Sequence, residues 1–161
     1  MRAVQPGDVI FIGGEALWFQ AGQSLDPRTA NYGHVGIAML VHGRLLVAEA
    51  TGSPTTAGSV GHSTPAAFLA HAERALILRP ADPDGLQAAI SEILESRPTF
   101  DQQFSLDTAR AIYCTELVWR GLSAVHGAEA PRPVQVMGRP AVTPRTLMES
   151  PLLRVVSRFG S

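Results

Sequence analysis

His34-Val35-Gly36-Ile37-Ala38-Met39-Leu40-Val41, then His42-Gly43, then Arg44-Leu45-Leu46-Val47-Ala48-Glu49-Ala50 reads as two strands joined by a tight turn. Both runs are short and aliphatic, and the glycine between them marks a two-residue connection, so the pair is expected to be an antiparallel hairpin. One residue breaks the pattern. Glu49 lies in an otherwise apolar strand, where a buried carboxylate is costly unless it is paired. Folding the hairpin at His42-Gly43 sets Glu49 roughly across from His34 and Val35, and cross-strand neighbours come within about 5 Å. Alternation alone also allows Glu49 to sit on a solvent face.

Working outward, Gln5-Pro6-Gly7-Asp8 is a turn and Val9 to Ile12 a short buried strand. Residues 13–33 read as a long loop with one helical turn around Ala16 to Phe19, and a loop of this length in a compact domain is often functional. Residues 51–63, rich in Gly, Ser and Thr, read as loop. Thr64-Pro65 opens a short helix to about Ala72. Arg74 to Arg79 is a strand closed by Pro80, and Pro83 to Ser96 a helix with Leu86, Ile90, Ile93 and Leu94 on one face. Residues 97–110 are polar and irregular, with Phe100 and Phe104 tucked in. The strongest helix runs from Tyr113 to Val125, with the stripe Leu117, Val118, Leu122 and Val125, and stops at Gly127. A Pro-rich connector at 131–140, a short helix from Thr143-Pro144 and a closing strand at Leu152 to Val156 complete the chain. Three to five strands followed by grouped helices predict an α+β fold, and 161 residues predict a single domain, 1–161.

Composition removes several function classes. The chain is 45% hydrophobic and 17% charged with a net charge of −1, which is globular and lacks the basic excess of nucleic-acid binders. All 13 basic residues are Arg, so lysine Schiff bases, a pyridoxal-phosphate lysine and a Walker-A loop are excluded. One cysteine excludes an intrachain disulfide and a cysteine-based structural zinc site. No apolar run approaches the roughly 18–20 residues of a membrane-spanning helix. Val9 to Ile12 is too short for the apolar region of a signal peptide. The chain is expected to be soluble, without stable membrane insertion and without a nucleic-acid partner; its compartment stays open.

The remaining question is chemistry. A lone cysteine usually packs as a small hydrophobe. Cys114, however, falls in the first turn of the best helix, where unpaired N–H groups and the helix dipole stabilise a thiolate and can hold an oxyanion. A thiolate nucleophile needs a base, and five histidines are available: His34, His42, His62, His71 and His126. His126, at the far end of the same helix, is about 18 Å from Cys114 at 1.5 Å per residue and is excluded. His42 and His62 fall in turn or loop, and His71 near a helix end. His34 opens a buried-looking strand, either as a hydrogen-bonded strand-end residue or as the base, with Glu49 as its orienting carboxylate. Tyr32, two residues before His34, and Tyr113, immediately before Cys114, are candidates to line or gate a substrate pocket, with core packing as the alternative. Glu116 is expected to stabilise the helix start, and Asp8 and Asp101 to shape turns. Metal ligation is disfavoured, since no HExxH or paired cysteines occur, and no cofactor is expected.

Gly33-His34-Val35-Gly36-Ile37, Val47-Ala48-Glu49-Ala50 and Tyr113-Cys114-Thr115-Glu116-Leu117-Val118 together resemble the permuted papain-like cysteine hydrolases of the YiiX/YebB type. These are distant relatives of the NlpC-type peptidoglycan peptidases and of the lecithin:retinol acyltransferase group. The order His, acid, Cys carries the permutation, since papain has Cys first. Gln5 to Phe11 is similar to the opening strand of that family and Phe100-Asp101 to its aromatic-Asp approach, so the resemblance runs from about residue 5 to 126. Thr115 departs from the serine that often follows the Cys. The resemblance implies a small antiparallel sheet packed against the Cys helix, with Cys114 as nucleophile, His34 as general base and acid, and Glu49 as orienter. It implies an amide hydrolase acting on peptides, including peptidoglycan-derived ones, or alternatively a lipid hydrolase or acyltransferase. A non-catalytic binding module that keeps the fold is the third expectation.

Overall fold

The computed structural model describes residues 4–14, 31–52, 55 and 57–160. In chain order the elements are β1 (Val9–Gly13), β2 (His34–Val41), β3 (Arg44–Thr51), β4 (Ser59–Ser63), α1 (Pro65–Leu69), β5 (Arg74–Pro80) and α2 (Pro83–Glu95). They continue with β6 (Thr99–Phe100), β7 (Ala111–Ile112), α3 (Cys114–His126), a 3-10 turn at Gly127–Glu129, β8 (Val134–Val136), β9 (Arg139–Ala141), α4 (Pro144–Met148) and β10 (Leu153–Phe159). One sheet dominates, with order β10-β5-β1-β2-β3-β4 and every pairing antiparallel. This is the α+β architecture that the sequence predicts.

The turn sets the hairpin register. His42 and Gly43 have φ of +47° and +75°. Two successive left-handed residues make the turn whose twist matches antiparallel strands. Val41 then pairs with Arg44, and counting back along the ladder pairs Gly36 with Glu49. Glu49 is therefore opposite Gly36, and its expected neighbour His34 is diagonal to it. Residues 34 and 36 share a face, so the diagonal still brings the two polar side chains together.

The sheet is apolar on both faces, as a layered domain requires. On one face Val9, Phe11, Val35, Ile37, Met39, Leu76 and Leu78 meet Leu86 and Ile90 of α2 and Leu117, Val118 and Leu122 of α3. On the other, Ile10, Ile12, Ala38, Val47, Ala75 and Ile77 meet Phe68 of α1. Of the predicted helical stripes, Leu86, Ile90, Leu117, Val118 and Leu122 are buried, while Ile93, Leu94 and Val125 are half-buried. Gly121 lets α2 and α3 approach closely: a Cβ there would stand 2.7 Å from Leu86 Cδ1 and 2.8 Å from Ile90 Cδ1.

Three expectations need correction. Residues 59–63 are a strand, not loop: Ser-Val-Gly-His-Ser has no apolar alternation, and its backbone pairing with β3 alone makes it an edge strand. The connector at 131–140 contains the β8–β9 hairpin, turning at Met137-Gly138, again with two positive φ values. Its strands have only three residues each, too few for a period to show. The described residues form ten strands, six of them in the dominant sheet, where the sequence predicts three to five in all. The helical turn expected at Ala16 to Phe19 lies outside the described residues.

Candidate active site

Helix α3 starts where it does because its first turn is tied down on three sides. Tyr113, the N-cap, is extended, with φ −104° and ψ 171°. Glu116 reaches back and accepts a hydrogen bond from the Tyr113 amide at 3.2 Å. The residues flanking Cys114 both grip Val142: the Tyr113 hydroxyl accepts from its amide at 2.9 Å, and the Thr115 hydroxyl donates to its carbonyl at 2.6 Å. Cys114 is left as the first helical residue, where amides have no acceptor within the helix. Its side chain is 93% buried, with the thiol free of any disulfide.

The first residue of β2 faces it. His34 is buried at the rim of the sheet, and its Nε2 lies 2.7 Å from Glu49 Oε2. Its ring is also in hydrogen-bond contact with the Cys114 side chain. Phe68 packs against the imidazole with ring centroids 5.5 Å apart. Gly36 is what lets these neighbours close in: a Cβ there would meet Val47 Cγ1 at 2.5 Å and Phe68 Cε2 at 2.8 Å. Burial pulls the His34 pKa down, but hydrogen bonds and charge from Cys114 and Glu49 outweigh it and raise the value to about 9. Cys114 and Glu49 thus both act on the His34 imidazole.

The other candidates separate clearly. Tyr113 is fully buried and packs against Phe104 with centroids 5.5 Å apart. Burial raises its hydroxyl pKa, and the expectation that it lines a substrate pocket gives way to the core-packing alternative. Tyr32 is half-buried at the edge of the main core, two residues before His34. Asp101 organises its turn by accepting from the amides of Gln103 and Ser105 at 2.9 and 2.8 Å. Asp8 holds Arg79 through bonds of 2.8 and 2.9 Å to Nε and Nη2. His42 is in the exposed turn, His62 on the edge strand, His71 exposed, and His126 at the far end of α3. The sequence reading missed Arg120. It binds Glu116 Oε1 through Nε at 2.9 Å and Nη2 at 2.6 Å, and the carbonyls of Thr108 and Ala109 at 2.9 and 3.2 Å. Its spacing of four from Glu116 was the available signal. Burial pushes the Glu116 carboxyl up to about 7 against the pull of Arg120.

Over 98% of both chains, the structure superposes on the crystal structure of metalloprotein yiiX from Escherichia coli O157:H7, DUF1105, with a TM-score of 0.76 and 19% identity. The chain has the YiiX fold. No protein-family model matches the sequence, and no curated protein does. In chain order the strands that carry His34 and Glu49 precede the helix that carries Cys114. The word metalloprotein belongs to the Escherichia coli protein. Among the described residues no three His, Cys, Asp or Glu side chains converge on a point that could hold a metal ion. Among the described residues no helix is long and apolar enough to cross a membrane.

Proposed function

We propose that this protein is a cysteine hydrolase that cleaves an amide bond in a peptide, cell-wall peptides included, through Cys114, His34 and Glu49. One observation carries the reading: a buried imidazole that is hydrogen-bonded to a carboxylate and interacts with a thiol at a helix N-terminus. A base within hydrogen-bond reach of its nucleophile and oriented by a third group is the geometry that activates a thiol. Glu49 is hydrogen-bonded to Nε2 of His34 and would orient the ring toward the thiol.

The raised His34 pKa means that the imidazole holds its proton at neutral pH, and the proposed reactive form pairs that imidazolium with the Cys114 thiolate. The Cys114 thiolate attacks the substrate carbonyl carbon and forms a C–S bond. The carbonyl electrons move to oxygen, and the Cys114 amide at the start of α3 stabilises that oxyanion. On collapse the C–N bond breaks and His34 gives its proton to the departing amine, leaving a thioester. Neutral His34 then takes a proton from water as it attacks the thioester. The carboxylic acid departs, and the returned thiolate pairs again with His34. Tyr32, beside His34 at the core's edge, is the residue proposed to contact the substrate.

The test is the rate of Cys114 alkylation by iodoacetamide against pH, read by intact-mass spectrometry, in wild type, His34→Ala and Glu49→Ala. The expected result is reaction at pH 6 well above that of an ordinary thiol, lost in His34→Ala. A panel of cell-wall peptides and lipid amides then assigns the substrate, with peptide cleavage expected. A wild-type profile matching a free thiol near pH 8.5, unchanged by either substitution, would overturn the proposal.

A further inference from the structure

Glu116 is a fully buried carboxylate two residues after the cysteine, and the chemistry above does not use it. It makes three hydrogen bonds, one to the Tyr113 amide and two to Arg120. Arg120 also donates to the carbonyls of Thr108 and Ala109. Those carbonyls end the turn organised by Asp101 and lead into β7, the strand immediately before Tyr113. One buried pair thus ties together the segment entering the helix, the N-cap amide and the first turn that carries Cys114. A buried pair is seldom stabilising compared with apolar packing, so its presence here suggests a geometric task.

We propose that Glu116, with Arg120, is a positioning residue that holds the Cys114 side chain and its amide against His34. The inference rests on the reading of Cys114 as a nucleophile activated by His34. The mechanism is mechanical. With the pair intact, the N-cap amide has a fixed acceptor and the helix begins at Cys114. Without it, the entering segment and the first turn can shift, and a displacement of about 1 Å in a reacting group can cost about 100-fold in rate.

Position and charge make opposite forecasts for one substitution. The groups facing the Glu116 carboxylate are Arg120, the Tyr113 amide and, through space, Asp101. With its carboxyl pushed up to about 7, Glu116 keeps only part of its negative charge at pH 6; the part that Glu116→Gln removes would by electrostatics alone favour the nearby thiolate and speed alkylation there. Removing the positive charge in Arg120→Met would do the reverse. If the pair acts by position, both substitutions slow the reaction at pH 6.

The experiment measures iodoacetamide alkylation of Cys114 at pH 6 and pH 10, together with the thermal midpoint, in wild type, His34→Ala, Glu116→Gln, Arg120→Met and Arg120→Lys. The pH 6 to pH 10 rate ratio is expected to fall at least tenfold in both Glu116→Gln and Arg120→Met, with partial recovery in Arg120→Lys. An unchanged ratio with a lowered thermal midpoint overturns the proposal and leaves the pair purely structural. A faster pH 6 reaction in Glu116→Gln overturns it in favour of a charge effect. Failure of both variants to fold also overturns it, by assigning the pair to folding alone. If wild type and His34→Ala have the same ratio, it is the nucleophile reading that fails, a result distinct from the others.

Discussion

The two ends of the central sheet carry two carboxylate–cation pairs that look alike and do different things. At one end Asp8, just before β1, grips Arg79 near the end of β5 with two bonds. At the other, Glu49 grips His34 with one. Both carboxylates are largely or wholly withdrawn from water. The difference lies in the cation. A guanidinium is always charged and its fork saturates the carboxylate, so Asp8–Arg79 can only hold the fold. An imidazole can give up its proton, and His34 interacts with a thiol as well as with its carboxylate. A buried ion pair becomes chemistry when one partner can titrate and a reactive atom stands next to it.

Substitutions can break this contrast from either side. Glu49→Gln keeps the size of the side chain but removes the charge that orients His34 and stabilises its imidazolium. Hydrolysis of the best peptide substrate should fall about 10²–10⁴-fold in kcat, with a much smaller change in thermal midpoint. Asp8→Ala should do the opposite. It strands Arg79 in a largely buried site and should cost about 3–5 kcal/mol in urea unfolding, while leaving the pH profile of Cys114 alkylation unaltered. If Asp8→Ala shifts that profile, the two ends are coupled and the contrast fails.

A pH titration of stability sharpens the same point. The His34 pKa rises from an ordinary 6.5 to about 9 in the folded state. A raised value means the folded protein binds the proton more tightly than the unfolded chain. That contribution is complete below about pH 6.5 and disappears as pH climbs through about 9. Urea midpoints measured from pH 6 to 10 should therefore decline over that window, and the decline should shrink in His34→Gln. Arg79 offers no comparable titration, since a guanidinium keeps its proton throughout this range. The smallest effect is expected at Tyr113→Phe. It leaves the buried Val142 amide without its acceptor and should lower stability by about 1–3 kcal/mol, consistent with a packing role.

Much of the architecture was legible because its signals are local. The hairpin announced itself through two aliphatic runs and His42-Gly43, and α3 through the stripe Leu117, Val118 and Leu122. Strand β4 and the β8–β9 hairpin were not legible, because edge and three-residue strands are held by backbone bonds that leave no side-chain period. The candidate residues Cys114, His34 and Glu49 stood out by type and position. Tyr113 had two readings, and only its hydroxyl's bond to Val142, 29 residues away in the chain, decided between them. Arg120 drew no notice because an arginine on a helix is ordinarily a solvated one.

The sequence by itself determined the order of elements, the α+β class, the absence of lysine chemistry and the three residues worth following. Each of these depends on residue identity or on spacing within a single strand, turn or helix. The tertiary structure decided the rest: that Glu49 reaches His34 on the diagonal, that His34 touches Cys114, and that Glu116 and Arg120 clasp the segment before the helix. Those are contacts between distant parts of the chain, and only packing of the sheet, its helices and the segments between them sets such distances.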